Sequence, residues 1–332
     1  MTVEHAGQVQ PAQAGTLLRV GDVLRTGADG AAGITLADDS LLTAGPASEL
    51  VISAFAFNPI THEGNLLASL WRGTLSVVTG LIGKKAPEQV KVQTRTVVLG
   101  SRGTEFIVET GWGGTMRSTG WAALSTASAL RFGRAASPMS ALIAALLSGC
   151  ASPPVPISDR VVLLPQADGS ASAVELLAGP QRLVLYQAYA GAVLQGAVLS
   201  LVVSDAASVA QRYGALLALQ PARPRSFVIP FESNTRTLGP ASEPVLAQMR
   251  AALALLPAAE VIVTGHTDRV GSVEANDKLS LARAEAVREI LVAAGVDRSA
   301  ISVVGRGERA PLVATADEVA EARNRRVEIK IR

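Results

Sequence analysis

The stretch VIVTGHTDRVGSVEANDKLSLARA, residues 261–284, determines the fold of the last third of the chain. It begins with a short apolar run, Val261 to Thr264, which is typical of a buried strand. After a loop, apolar residues recur at helical spacing, and they fall on one face of a helix predicted from Leu279 to Ala294. A strand that leads through a loop into an amphipathic helix indicates an α/β unit.

The flanking residues continue this alternation of strands and helices. We predict strands at Ser226 to Phe231, Ile301 to Val304 and Val327 to Ile331, and helices at Ser242 to Leu256, with Ser242 as N-cap, and at Ala316 to Arg323. Together these elements predict a βαβαβ sandwich over residues 223–332.

Five sequence blocks occur in order within this region. They are Gly265-His266-Thr267-Asp268, Gly271-Ser272 with Asn276, Leu279-Ser280-Leu281-Ala282-Arg283-Ala284, Gly305-Arg306-Gly307-Glu308 with Pro311, and Asn324-Arg325-Arg326-Val327-Glu328. The ordered set resembles the OmpA-like peptidoglycan-binding domain. The resemblance implies a ligand, the peptide stem of peptidoglycan with its meso-diaminopimelate, and it places Asp268 and Arg283 at the binding positions.

Asp268 and Arg283 also suit that ligand on chemical grounds. The free end of diaminopimelate carries an ammonium and a carboxylate on one carbon. A carboxylate such as Asp268 can accept hydrogen bonds from the ammonium, and the guanidinium fork of Arg283 can hold the carboxylate with two hydrogen bonds. Thr267, Asn276 and Arg325 are further candidates for hydrogen bonds to the ligand.

Two other interpretations of these residues stay open. Asp268 could cap the loop after its strand, with Arg283 as a structural salt-bridge partner. His266 and Asp268 would share a face of a strand and could form a hydrolase pair, yet no nucleophile motif such as G-x-S-x-G occurs. We therefore expect a binding protein without catalytic residues and not an enzyme.

Other polar residues of the region are expected to have structural roles. Glu308 and Asn324 are predicted to fasten loops. Arg326, Lys330 and Arg332 alternate with the apolar residues of the last strand, which predicts that they form its solvated face.

The composition of the chain argues against several other functions. The formal net charge is only +2 and no run of five Lys or Arg occurs, whereas nucleic-acid binding needs a concentrated basic face. The three histidines and the single cysteine are not spaced as metal ligands. We therefore expect no nucleic-acid partner, no metal and no cofactor.

Residues 1–112 are predicted to form an all-β domain. Short alternating apolar pairs are separated by Gly and Asp turn residues, which favours a sandwich or a β-solenoid-like fold. Blocks at Val20 to Gly27, Leu36 to Ser40, Trp71 to Leu75 and Ser101 to Phe106 resemble a FecR-type domain over residues 19–109. The resemblance implies a periplasmic domain used in sensing or wall binding. The alternative function is thus an envelope sensor, with envelope proteins as partners, that its C-terminal domain positions on the wall.

Residues 113–154 contain a signal-like segment and a Pro-rich linker. An apolar run from Ala135 to Leu147 follows Arg131 and Arg134 and ends in Leu147-Ser148-Gly149-Cys150, which resembles the lipobox of bacterial lipoproteins. The resemblance implies cleavage before Cys150 and a lipid on its sulfur. Use of this signal would place the protein at the outer membrane of a Gram-negative bacterium, on the periplasmic face.

The position of the lipobox in mid-chain leaves two interpretations. The chain is a fusion of two neighbouring genes, with Met116 or Met139 as the old start, and the first 149 residues stay behind or are lost after cleavage. Alternatively, the run is a buried apolar segment and Cys150 is an inert core thiol. Residues 155–222 are predicted to be a separate small α/β segment with a helix from Ala206 to Leu219.

Overall fold

The computed structural model describes residues 1–111, 157–231, 242–254, 256 and 258–332. Cys150, the apolar run from Ala135 to Leu147, and both Met116 and Met139 lie outside the described residues. The predictions that rest on them therefore stay predictions. Within the described ranges, no helix is both long enough and apolar enough to cross a membrane.

Residues 1–111 form strands, one short α-helix and a 3₁₀ helix at Pro87–Gln89. The elements are β1 (Thr2–His5), β2 (Gln8–Pro11), β3 (Val23–Arg25), β4 (Ala32–Thr35), β5 (Leu41–Ala44), β6 (Glu49–Phe57), β7 (Gly64–Val78), α1 (Leu81–Lys85), β8 (Val90–Gln93), β9 (Val98–Arg102) and β10 (Glu105–Thr110). The predominance of strands confirms the predicted β character of this region.

The long strand β7 connects two layers of this region. Its first part pairs with β6 and β8, whereas its last part, from Gly73 to Val78, pairs with β10. Gly73 has a φ of +94°, and a side chain there would collide with Ser48, so glycine is required where the strand changes partners. Apolar side chains of both layers, such as Leu66 and Phe106, meet in one buried core.

The segment that begins at residue 157 continues the same strand network. Its elements are β11 (Ile157–Leu164), β12 (Ala173–Ala178), β13 (Gln181–Leu185), β14 (Ala190–Gln195), β15 (Val198–Val203) and α2 (Ala206–Leu217). β11 pairs with β10 and β12 pairs with β9, so the central path runs β13-β12-β9-β8-β7-β10-β11-β14-β15. The prediction of a separate segment at 155–222, with a domain boundary at 112, is therefore wrong.

Burial explains why these strands join the N-terminal ones. Leu163 on β11 and Leu176 on β12 are buried in the same apolar core as Phe106 on β10. A free unit of this size would leave those side chains in water, at a cost of about 1.5–3 kcal/mol each. The N-terminal domain therefore extends to the end of α2.

Residues from 225 onward form a second layered unit. Its elements are β16 (Arg225–Pro230), α3 (Glu243–Leu253), β17 (Val261–Gly265), α4 (Val273–Ala293), β18 (Ile301–Gly305) and β19 (Arg326–Ile331). The sheet order is β16-β19-β17-β18, in which β17 and β18 are parallel. Side chains of both helices, such as Met249 and Val287, pack into its apolar core. The predicted α/β fold is confirmed.

Two helix predictions in this unit need correction. Helix α4 begins at Val273, six residues before the predicted start at Leu279, because the Ser272 side chain accepts a hydrogen bond from Ala275 N at 3.2 Å and caps the earlier turn. No α-helix forms at 316–323, where the structure has only a short 3₁₀ helix, Ala322–Asn324, at the end of the segment. Glu318 N instead donates to Arg269 O at 2.9 Å, which fixes the segment as a loop.

The outer face of β19 is not the solvated face that its sequence predicts. Lys330 Nζ lies 2.7 Å from an Asp39 carboxylate oxygen in the N-terminal domain, and Arg332 donates to Ala37 O at 2.8 Å. Arg326 is buried and pairs with Glu328 at 2.7 Å. The alternation along the strand was predicted correctly, but a turn of the other domain covers the polar face.

Candidate functional site

The predicted site begins where β17 ends and its loop passes over helix α4. At Gly265 a side-chain carbon would stand 2.7 Å from the carbonyl carbon of Ser280, and closer still to its oxygen. Only a residue without a side chain permits this contact between strand and helix backbones. The glycine thus sets the distance between the loop that carries Asp268 and the helix that carries Arg283.

A second loop, after β18, fixes the first one through backbone hydrogen bonds. Thr267 N donates to Gly307 O at 2.9 Å, and Arg306 N donates to Gly265 O at 3.0 Å. Gly307 N in turn donates to the Ser280 hydroxyl oxygen at 2.9 Å. The motif blocks at 265–268 and 305–308 therefore correspond to loops that meet around Thr267.

Asp268 is largely buried in this loop and has a basic partner. Its Oδ2 accepts a hydrogen bond from Arg325 Nη1 at 2.8 Å, and the two side chains are 11% and 17% exposed. Such a charge-assisted hydrogen bond in a partly buried place is stronger than one on the surface. The salt-bridge partner that sequence analysis assigned to Asp268 in its structural interpretation was Arg283, whereas the structure pairs it with Arg325.

Arg283 lies beneath this pair on α4 and has 0% of its surface exposed. Its Nη1 donates to His266 O at 3.3 Å, and its guanidinium carbon lies 5.4 Å from the centre of the Phe231 ring. Burial lowers the pKa of Arg283 below its ordinary value, and the charge of Arg325 lowers it further, while Asp268 acts in the opposite direction. The guanidinium stays charged at neutral pH, because an arginine pKa lies far above it.

The structure brings four of the five predicted binding residues together. Thr267, Asp268, Arg283 and Arg325 meet at the junction of the two loops with α4 and β19. The Thr267 hydroxyl is buried and has no hydrogen-bond partner among the described residues. Asn276 is different, because its side-chain amide donates to Glu308 Oε2 at 2.7 Å and is 4% exposed, which suits the fastening of a loop.

The residues predicted to fasten loops do so. Asn324 accepts from Val313 N at 2.9 Å and donates to Val313 O at 2.8 Å, which closes the long loop before β19. Glu308 holds Asn276 as described.

Sequence reasoning missed Arg269, which donates to Thr315 O at 2.9 Å and also pairs with Asp317. No pattern in the sequence marks that contact, because its partners lie in an irregular loop.

His266 is buried beside the site and is not placed as a general base. Its ring nitrogens have no hydrogen-bond partner among the described residues, and the nearest carboxylate oxygen, on Glu328, is 3.8 Å away. Burial lowers the pKa of His266 to about 4, and the charge of Arg326 contributes in the same direction. The imidazole is therefore neutral in the folded protein at neutral pH.

Acidification is expected to destabilise the C-terminal domain through His266. The unfolded chain takes up a proton as the pH falls through about 6.5, whereas the folded domain resists protonation down to about pH 4, so stability is lost between these values. At pH 5 the expected loss is about 2 kcal/mol. Urea unfolding of the full chain at pH 7.5 and pH 5 measures it. His266→Gln should remove this part of the pH dependence, and an unchanged dependence in that variant would contradict the assignment.

Comparison with known proteins identifies both domains. Residues 230–325 match the OmpA family. Residues 22–118 match the FecR protein family, so both resemblances seen in the sequence are confirmed. The OmpA-like domain therefore contains the whole candidate site from Thr267 to Arg325.

The relatives of the OmpA-like domain are outer-membrane or peptidoglycan-associated proteins by name. The peptidoglycan-associated lipoprotein of Legionella pneumophila is 49% identical over 72 residues, 22% of this chain and 41% of that protein. The peptidoglycan-binding protein ArfA of Mycobacterium tuberculosis is 38% identical over 103 residues, 31% of this chain and 32% of that protein. Outer membrane porin F of Pseudomonas fluorescens is 46% identical over 79 residues, 24% of each chain. This chain thus spans less than half the length of each of these relatives.

Proposed function

We propose that the OmpA-like domain binds peptidoglycan non-covalently through the diaminopimelate of the stem peptide. In doing so it would tether an outer-membrane-associated envelope protein to the cell wall. The observation that carries the proposal is the placement of Asp268 and Arg283, two largely buried groups of opposite charge, at one junction of loop and helix. The names of the Legionella and mycobacterial relatives support peptidoglycan as the ligand.

Recognition would match the two charges of the ligand one by one. Asp268 accepts hydrogen bonds from the ammonium of diaminopimelate, and its carboxylate can accept more than one donor. Arg283 pairs with the ligand carboxylate, and its burial excludes water that would weaken the pair. Arg325, now bound to Asp268, yields part of that contact to the ammonium and can turn its own donors to the ligand. The Thr267 hydroxyl, which has no partner among the described residues, would supply one further hydrogen bond.

The arrangement of the site favours binding without catalysis. His266 has no hydrogen bond to a nucleophile among the described residues, and its low pKa makes it a weak base. We therefore propose that the protein holds the wall and does not modify it.

The membrane end of the tether would be the lipid predicted on Cys150. The structure describes nothing at that position. With the lipid, the protein would lie on the periplasmic face of the outer membrane and bind the wall from there. Intact-mass analysis of the protein from a membrane fraction tests this part, because a full-length mass without lipid would refute it.

The FecR match supports a second candidate function. In it, the N-terminal domain senses a signal in the envelope, and the OmpA-like domain positions it on the wall. Deletion of the FecR-like domain separates the two candidates. Wall binding should persist in both cases, but only a sensor should lose its response to an envelope signal.

Co-sedimentation with purified peptidoglycan tests the proposed function. The full chain should pellet with sacculi that contain diaminopimelate, and free diaminopimelate should compete for it. Sacculi that carry lysine in the stem peptide are the matched control and should retain much less protein. Equal sedimentation with both kinds of wall would refute recognition of diaminopimelate.

A further inference from the structure

The turn that joins β4 to β5 holds Asp39 in an unfavourable backbone conformation. Asp39 has a φ of +68°, in the left-handed region that glycine adopts freely and a residue with a side chain adopts only at a cost. Hydrogen bonds fix the turn in this shape. The buried Asp38 carboxylate accepts from Ser40 N at 3.1 Å and from the Ser40 hydroxyl at 2.8 Å, and Leu81 N donates to Asp38 O at 2.6 Å. A strained residue on a fixed turn indicates that its side chain makes a contact that glycine could not make.

The Asp39 carboxylate contacts two cations of the OmpA-like domain. Its Oδ2 lies 2.7 Å from Lys330 Nζ, and its Oδ1 lies 3.9 Å from Arg332 Nη1. The side chains of Asp39, Lys330 and Arg332 are 18%, 29% and 11% exposed, so solvent screens their charges less than on an open surface. Arg332 also donates to the backbone oxygen of Ala37 at 2.8 Å. The charges on the two sides of this contact are therefore complementary.

Lys330 and Arg332 lie on the face of the OmpA-like sheet that is turned away from α3 and α4. Ile329 and Ile331, which flank Lys330 on β19, pack into the core with side chains of both helices. Side chains alternate along a strand, so Lys330 and Arg332 point to the opposite face of the sheet. The N-terminal domain therefore contacts the OmpA-like domain on its helix-free face.

A second contact joins the N-terminal domain to the loop after β18. Arg306 Nη2 donates to Pro59 O at 2.6 Å, and Pro59 lies in the loop between β6 and β7. The backbone of the loop after β18 supports the candidate site, since Arg306 N donates to Gly265 O and Gly307 O accepts from Thr267 N. The N-terminal domain therefore contacts the loop that holds Thr267 in place.

We propose that Asp39 is a docking residue. Its ion pair holds the FecR-like domain on the helix-free face of the OmpA-like sheet, and the docked domain restrains residues 305–308 through Arg306. Domains of one chain move relative to each other unless their interface prevents it. The charged contact at Asp39 supplies that restraint, and its favourable energy offsets the cost of a left-handed aspartate.

Docking links the FecR-like domain to the candidate site. A partner that drew the FecR-like domain away would release residues 305–308, and a ligand that fixed these residues would favour docking in return. The proposal concerns the intact chain without ligand. It rests neither on the signal-like segment nor on the proposed wall binding, so it can fail while wall binding holds.

Hydrogen exchange of the full chain without ligand, measured by mass spectrometry, tests the proposal. In Asp39→Gly the turn keeps its shape, because glycine adopts a φ of +68° freely, but the ion pair is lost. The backbone amides of residues 305–308 should then exchange about threefold faster than in the wild type, while those of β17 should exchange at the wild-type rate. Unchanged exchange at 305–308 would overturn the proposal.

Ala6→Gly is the matched control. Ala6 is also left-handed, with a φ of +48°, in the exposed turn between β1 and β2. Glycine at this position relieves the same kind of backbone strain and removes no carboxylate, so exchange at 305–308 should stay at the wild-type rate. Equally fast exchange in Ala6→Gly and Asp39→Gly would assign the effect to the backbone and overturn the role of Asp39.

Two charge variants distinguish docking from a structural role of Asp39 within its own turn. Asp39→Asn and Lys330→Gln each remove one partner of the ion pair, and each should speed exchange at 305–308. The double variant should show no increase beyond the larger single effect, because both changes act through the same contact. Additive increases would show that the two residues act independently, which would contradict docking through this pair.

Discussion

Replacement of Asp268 by asparagine is expected to weaken binding of the protein to peptidoglycan at least about tenfold. The substitution keeps the size of the side chain and removes its charge. A hydrogen bond between two charged groups contributes about 1.5–3 kcal/mol, and the low exposure of Asp268 reduces screening by solvent. Co-sedimentation at increasing protein concentration measures the change as a shift of the half-saturation point.

The contact between Asp268 and Arg325 calls for its own control, because Asp268→Asn also weakens that pair. Arg325→Gln removes the same salt bridge but keeps the carboxylate, so it should lose less affinity than Asp268→Asn. Glu289 on α4 forms an exposed salt bridge with Arg298. The variant Glu289→Gln should therefore bind as the wild type does. Equal losses in Asp268→Asn and Arg325→Gln would contradict the leading role of Asp268 in ligand binding.

Gly265→Ala is expected to destabilise the OmpA-like domain by about 3 kcal/mol or more, which exceeds the effect of most single substitutions. The added methyl group would overlap the carbonyl of Ser280 on α4, and a backbone atom cannot turn aside as a side chain can. The strand and the helix would have to move apart and open the core between Val263 and Ala284. Urea unfolding of the full chain measures the loss, and wall binding should fall with it.

Gly214→Ala provides the matched control for this prediction. Gly214 lies within α2, and a side-chain carbon there would meet no atom within 4 Å. Alanine favours a helix over glycine by about 0.8–1.0 kcal/mol, so this variant should be as stable as the wild type or slightly more stable. A Gly265→Ala protein that unfolds at the wild-type urea concentration would show that strand and helix do not touch at this position.

The OmpA-like domain could be predicted from sequence because the residues that determine each of its elements lie close together in the sequence. The spacing of apolar residues and the positions of turn residues indicated β17 and the centre of α4. The motif blocks placed Thr267, Asp268 and Arg283 in one site. The prediction of a helix at 316–323 was wrong because the contacts that determine this segment are not local. Its apolar spacing is helical, but two hydrogen bonds to a loop distant in sequence determine its structure. Glu318 N donates to Arg269 O, and the Glu318 carboxylate accepts from Gly271 N.

The N-terminal domain could not be delimited from sequence because its pairing is non-local. β11 is a strand by its own pattern, yet nothing in that pattern shows that its partner is β10, on the other side of a segment with a different composition. The same limit applies to Arg325. Its place in the motif indicated a role at the site, but only the fold shows that it forms a salt bridge with Asp268. Lys330 was likewise assigned to solvent because the turn at Asp39 that covers it belongs to another domain.

Calorimetric titration with a chemically altered ligand tests recognition of the zwitterion most directly. The two ligands are a stem-peptide fragment of peptidoglycan with a free diaminopimelate amine and the same fragment acetylated on that amine. The wild-type chain should bind the free amine at least about tenfold more tightly, and Asp268→Asn should bind both forms weakly and equally. Equal affinity of the wild-type chain for both fragments would contradict the pairing of Asp268 with the ligand ammonium.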